Sequence, residues 1–187
     1  SLPQQWSAFT GLRRIQLGGN QLTGSLPEQW STFRRIYTLR LQENELSGSL
    51  PGQWSTFTRT ATMNVSLNYL EEYVPSNYRH TVYILPQRQL PTPTPSPTPT
   101  PAENDKELLL DLVMGDTQSW SDTEALATWA ADVSMCNEWR RLVCDGEGRV
   151  SELWLDYAGL SGRLPEQLSA LTGLNYMYLS GNQLTGS

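Results

Sequence analysis

The chain has 187 residues, room for one domain or for two small ones flanking a connector, and too few for a larger multidomain machine. Thirteen Lys and Arg against nineteen Asp and Glu leave a formal charge of −6 and a pI near 4.8, a balance that disfavours a phosphate-tracking surface and hence nucleic acid as a partner. Only 38% of residues are hydrophobic and no apolar run approaches the ~20 residues of a membrane-spanning helix, so no span is expected; no charged-then-apolar leader sits at Ser1.

Residues 1–72 are three copies of one 24-residue unit: SLPQQWSAFTGLRRIQLGGNQLTG, SLPEQWSTFRRIYTLRLQENELSG and SLPGQWSTFTRTATMNVSLNYLEE. Their apolar positions fall in columns: Leu12, Ile15, Leu17 and Leu22, then Ile36, Leu39, Leu41 and Leu46, then a weakened Thr60, Met63, Val65 and Leu70. Asn20, Asn44 and Asn68 share a further column, giving LxxLxLxxNxL, the leucine-rich repeat pattern. The LxL triplet alternates as a short strand does, and the Asn amide can turn onto backbone groups of adjacent coils. One coil cannot bury its own apolar edge, so stability requires stacked neighbours. Trp6, Trp30 and Trp54 share a column with Leu168, and Phe9, Phe33 and Phe57 with Leu171; a row of sugar-stacking aromatics is one reading and core filler, favoured by the Leu in the fourth copy, the other.

Residues 73–90 keep one echo of the repeat, Val74-Pro75, and read as a degenerate terminal coil with a last strand at Thr81 to Leu85; lone His80 has no metal-ligand neighbour at useful spacing. Residues 91–104 form a Pro/Thr-rich linker, PTPTPSPTPTP and its tail, extended because alternate residues lack an N–H donor. Its threonines and Ser96 form a tract of the kind that accepts O-linked sugars, or a bare stiff spacer. Residues 105–149 make a Cys-containing helical cap: Asn104 or Asp105 starts a helix with Leu108, Leu109, Leu112 and Val113 on its apolar face, and Ser121 with Glu124 forms a capping box before a second. Cys136 and Cys144 fit a local disulfide better than a zinc or CxxC redox site, with two reduced buried thiols as the alternative, and a disulfide implies an oxidising compartment. Residues 150–187 return to the repeat with Val150, Leu153, Leu155 and Leu160, then Leu174, Met177, Leu179, Asn182 and Leu184.

From Glu107 to Ser187, the run LLLDLV, C-x-x-W-x-x-x-x-C, GRVSELWL and LTGLNYMYLSGNQLTGS resembles the amino-terminal cap and first coils of plant-type leucine-rich-repeat proteins. The LPxQWS wording with a Pro/Thr-rich spacer is similar to trypanosomatid surface-antigen and proteophosphoglycan leucine-rich-repeat proteins. Those resemblances imply an α/β solenoid of 24-residue coils, a parallel sheet on its concave side, a short helical N-cap placed after the linker, export to the cell surface, frequent glycosylation, and action by binding. The parasite group is typically lipid-anchored; no anchor signal is read here, and that property is not carried over. The cap departs from the plant pattern at Leu142-Val143, where Gly-Val is usual. Its order departs too, since a cap belongs before the coils and here three coils precede it. Either the segment is cut from tandem modules, or it is a permuted unit whose last coil stacks against the coil beginning at Ser1. The second arrangement is preferred, because residues 86–104 extended at ~3.1 Å each reach ~59 Å, enough to pass a five-coil stack.

In that arrangement one outward column reads Trp154, Tyr178, Gln16, Arg40 and Asn64, flanked by Glu152, Asp156, Tyr157, Tyr176 and Arg14. Trp, Tyr and Arg dominate binding hot spots, so the ligand-binding candidates are Trp154, Tyr178, Tyr176, Tyr157, Glu152, Asp156, Arg14, Gln16 and Arg40, for a protein or glycan ligand. The competing reading is that exposed strand positions simply favour aromatics. Asn64-Val65-Ser66 is an N-glycosylation sequon. No nucleophile, base and oxyanion constellation, metal-ligand spacing or phosphate-cradling loop is present, so neither enzyme activity nor a cofactor is expected. Two further functions are weighed: a structural coat glycoprotein without a dedicated ligand, and an inhibitor of a secreted hydrolase.

Overall fold

The computed structural model describes residues 1–60, 62–79, 81–88, Asp105, Leu109, Cys136, Trp139 and 141–185. The first apolar residue of each LxL points inward from the centre of a short strand: Ile15 in β1 Arg14–Gln16, Leu39 in β3 Thr38–Arg40 and Met63 in β5 Thr62–Asn64, with β2 Thr23–Ser25, β4 Glu45–Gly48 and β6 Tyr69–Leu70 where each coil leaves the turn. β7 is Val82–Tyr83 and β8 Leu142–Cys144, followed by β9 Val150–Trp154, β10 Ser161–Arg163, β11 Tyr176–Tyr178 and β12 Gln183–Thr185.

The long sheet has the order β7-β5-β3-β1-β11-β9-β8, parallel throughout except for the antiparallel β8–β9 pair. The later coil therefore stacks against the first: Ile15 lies beside Met177 on one side and Leu39 on the other, and Leu39 beside Met63. The expected parallel sheet is present. Its two edges are blunt, a two-residue β7 at one end and the reversed β8 at the other.

Behind the sheet, Leu12, Ile15, Leu17, Leu22 and their counterparts form one continuous buried cluster that also takes in Leu109. Thr60, standing in a Leu column, stays buried because its hydroxyl donates to Ile36 O at 3.1 Å. Each coil returns through a single 3-10 turn, at Gln4–Ala8, Glu28–Thr32, Gly52–Thr56 and Glu166–Ala170. The preceding prolines, with φ between −64° and −77°, set the entry and their carbonyls accept an N–H three residues on. Among the described residues these turns stand where an α/β fold would have helices: a 24-residue coil leaves too few residues for an α-helix beside its two strand segments. Asp105, Leu109 and Cys136 are helical, and the rest of the cap helices, the linker and His80 lie outside the described residues. At the cap's edge, Asp105 Oδ2 accepts the Val150 N–H at 3.0 Å, and Cys136 and Cys144 are joined as a disulfide.

The tryptophans are core. Trp6, Trp30 and Trp54 are fully buried, with rings stacked near-parallel at 5.8 and 6.1 Å. Each indole N–H donates to a proline carbonyl of the preceding coil, Pro165, Pro3 and Pro27 respectively. Tyr78 takes the same place in the terminal coil, its hydroxyl reaching Pro51 O at 2.7 Å.

A second ladder runs through the asparagines. Asn44 Nδ2 donates to Leu17 O at 2.9 Å and Leu41 O at 3.0 Å, while Oδ1 accepts the Leu22 N–H at 3.1 Å. Asn182, Asn20 and Asn68 do the same in their coils. At the end of the ladder Gln87 Oε1 accepts the Asn68 and Leu70 N–H groups and Nε2 reaches back to Val65 O. The residue just before each ladder Asn is left-handed: Gly19 and Gly181 in two coils, and Glu43 and Leu67, with φ of 58° and 55°, in two others; Tyr157, φ 51°, holds the same position ahead of Ala158, which stands where the other coils have Asn.

Candidate ligand-binding surface

The parallel register brings the outward residues of successive strands side by side. Trp154 lies beside Tyr178, Tyr178 beside Gln16, Gln16 beside Arg40 and Arg40 beside Asn64, the order expected of the column. Glu152, Tyr176, Arg14 and Thr38 make the neighbouring row.

Trp154 is 44% exposed and its ring stacks on Tyr178 at a centroid distance of 4.2 Å. That contact leaves Tyr178 only 4% exposed, so it supports the surface rather than presenting it. Tyr176 lies 6.5 Å from Tyr178 with the rings nearly parallel. The Trp154 indole N–H donates to Glu152 Oε2 at 2.8 Å, which fixes the ring's orientation.

Arg14 ties this row to the next coil. Its Nη1 donates to the Tyr178 hydroxyl at 2.9 Å and its Nη2 to the Tyr37 hydroxyl at 2.8 Å, and its guanidinium lies 5.1 to 6.0 Å from the rings of Tyr37, Tyr178 and Tyr176. Partial burial, the largest influence, pulls the Arg14 pKa down, but its interactions with the Tyr178 and Tyr37 hydroxyls prevail and hold it above its ordinary value. Burial likewise pushes the Tyr178 hydroxyl up, against the pull of Arg14. Both groups thus keep their neutral-pH forms, a cation and a phenol. Arg14 Nε is buried without a partner among the described residues.

The remaining candidates lie around this row. Asp156 Oδ1 accepts the Ser180 N–H at 2.6 Å, and burial raises its carboxyl above the usual range against that hydrogen bond. Tyr157 is 80% exposed and crosses Gly181, where an added Cβ would come within 2.2 Å of the Tyr157 ring. Gln16 is half-buried and Arg40 exposed, both further along the sheet. Asn64 is half-buried, its Oδ1 accepting both the backbone N–H and the hydroxyl of Ser66.

The sequence columns do not single out Tyr37, which precedes β3 and meets Arg14 only through the stacked register, or Tyr83, 55% exposed on β7 beside Asn64. Nor do they single out a basic cavity of about 610 Å³ at the strand entrances, lined by Arg13, Arg34, Arg35, Tyr37 and Arg59. The overall charge of −6 hides it, although residues 1–64 hold six arginines against Glu28, Glu43 and Glu45.

A leucine-rich-repeat family model matches residues 11–33. Over these residues the chain is similar to leucine-rich repeats. Receptor protein kinase WSS1 of Oryza sativa subsp. japonica is 39% identical over 90 residues, 43% of this chain and 10% of that protein. A probable inactive receptor kinase of Arabidopsis thaliana is 45% identical over 71 residues, 36% of this chain and 6% of its own length. The chain thus spans about a tenth or less of the curated relatives it matches. Among solved structures, the crystal structure of the BIR3–SERK2 complex from Arabidopsis thaliana aligns with a TM-score of 0.40 at 35% identity, over 41% of this chain and 42% of that one. No helix among the described residues is long and apolar enough to cross a membrane.

Proposed function

We propose that this leucine-rich-repeat chain is an extracellular, non-catalytic recognition module that binds a protein ligand on the solvent face of its long sheet, the face expected to be concave. The supporting observation is the patch of Trp154, Tyr176 and Arg14 across three adjacent strands, rigidified from beneath by Tyr178 and from the side by Glu152. Aromatic rings fixed in place lose little entropy on binding, and Trp, Tyr and Arg are the residues that carry interface energy. The disulfide supports an oxidising compartment. The LPxQWS wording and Pro/Thr-rich segment support a trypanosomatid-like cell-surface setting, with Asn64 as a glycan acceptor.

The test is biolayer interferometry of the immobilised full chain against secreted-protein and glycan panels, followed by variants against any binder found. Trp154→Ala and Tyr176→Ala should each weaken the interaction at least tenfold, while Tyr73→Ala, an exposed ring off the sheet, should leave it intact. Unchanged binding in both sheet variants would defeat the reading and favour a coat protein without a dedicated ligand.

A further inference from the structure

The cavity lined by Arg13, Arg34, Arg35, Tyr37 and Arg59 departs from the repeat that builds it. In the first and last coils the corresponding stretch is Thr-Gly-Leu, at Thr10 to Leu12 and Thr172 to Leu174; in the second it is Arg34-Arg35-Ile36, and in the third Thr58-Arg59-Thr60. Arg35 and Arg59 therefore hold one repeat position on adjacent coils, a strand spacing of ~5 Å apart. Arg13 enters from the coil on the other side of Arg35, and all four arginines are exposed.

Among the described residues none of the four pairs with a carboxylate: the two ion pairs there both belong to Arg149. Four guanidinium groups collected in one recess repel one another unless an anion joins them. A carboxylate takes one guanidinium fork, whereas a tetrahedral oxyanion has enough free oxygens to take two forks from different directions. Arginines on neighbouring coils supply forks of that arrangement, and Tyr37, whose oxygen already accepts from Arg14, retains its own hydroxyl proton to donate. A long polyanion fits poorly, because residues 65–187 carry sixteen acidic side chains against seven basic ones and would repel whatever ran past the recess.

We propose that this recess is a binding site for a compact phosphate or sulfate ester. It meets the Trp154 surface only through the Tyr37–Arg14 hydrogen bond, and each can fail without the other. Calorimetric titration of the full chain at constant ionic strength tests it, with inorganic phosphate and sulfate for the free ion, glucose 6-phosphate and glucose 6-sulfate for a saccharide ester, and a phosphoserine peptide for a peptide ester. At least one tetrahedral anion should bind at least tenfold more tightly than acetate, and the tightest arm identifies the carrier. Arg35→Gln and Arg59→Gln should each weaken that binding about three- to tenfold, the range for one exposed charge-assisted hydrogen-bond set. Arg35→Lys, which keeps the charge and loses the fork, should fall between. Arg79→Gln, an exposed arginine elsewhere, should change it less than about twofold, and Trp154→Ala should leave it unchanged. Acetate binding as tightly as every tetrahedral anion, or equal losses from Arg79→Gln and Arg35→Gln, would overturn the proposal.

Discussion

Replacing Asn44 separates the hydrogen-bond ladder from simple packing. Asn44 is fully buried, and its amide meets three carbonyls, Leu17 O, Leu41 O and Gln42 O, and one donor, the Leu22 N–H. The carbonyls are doubly served: Leu17 O also accepts from Asn20, Leu41 O from Asn68, and Gln42 O from the Gly19 N–H. Asn44→Ala therefore orphans chiefly the Leu22 N–H, and with the small void left behind should destabilise by about 2–4 kcal/mol. Asn44→Asp preserves size and the acceptor for Leu22 but aims a carboxylate oxygen at three carbonyls in a dry interior. At neutral pH it should be worse than Ala, by the roughly 3–5 kcal/mol that an uncompensated buried charge costs. The fold raises that carboxyl's pKa, so the proton is bound more tightly when folded, and stability should recover as pH falls through the raised value. Urea unfolding followed by tryptophan fluorescence between pH 4 and 8 measures this. An Asn44→Asp variant as stable as wild type at neutral pH, or one whose stability runs parallel to that of the Ala variant across the range, would refute the ladder's role.

Three further outcomes follow from the same contacts. Trp30→Leu should cost about 2–4 kcal/mol, through two lost ring stacks and the lost indole bond to Pro3 O, which keeps the Trp6 backbone N–H, and Trp6→Leu should cost about 1 kcal/mol less because Trp6 stacks on one tryptophan only; denaturant midpoints compare them. Asp156→Asn removes a carboxyl that burial raises: its contribution is complete below the ordinary Asp value and is lost as pH rises through the raised one, so the variant should equal or exceed wild type at neutral pH and show a flatter acid limb in thermal unfolding. Reducing Cys136–Cys144, which closes a short loop at an exposed cysteine, should lower stability by about 2.5 kcal/mol on loop entropy, read as the change in urea midpoint with and without a phosphine reductant.

Periodicity made much of this fold legible. Leu, Asn and Trp columns at a step of 24 place the buried triplets, the amide ladder and the stacked rings, because in a stack one register decides every contact. Where the period breaks, legibility fails. The strand at Val82 follows Met63 by 19 residues rather than 24, and the ladder is ended by a Gln, whose extra methylene lets a shortened coil reach the same groups. The outward surface was legible as a column but not as a site. The pattern puts Trp154 and Tyr178 side by side without saying which ring covers the other, and it offers no reason for Arg14 to select Tyr37. Single-residue departures, such as Arg35 for Gly11, carry no periodic signal at all, and a net negative total conceals a local surplus of cations.

The blunt edges have a consequence for length. A stack of like coils has no intrinsic count, since each face that accepts a neighbour offers an equivalent face beyond. Here β8 runs against the grain at one limit, and at the other a two-residue β7 offers an incoming strand little to pair with. Growth by end-to-end addition of further molecules is thereby discouraged, whereas a duplicated 24-residue copy between Gly24 and Ser25 would lengthen the middle and leave both limits as they are. In such an architecture the number of coils can drift over generations while the stops remain fixed.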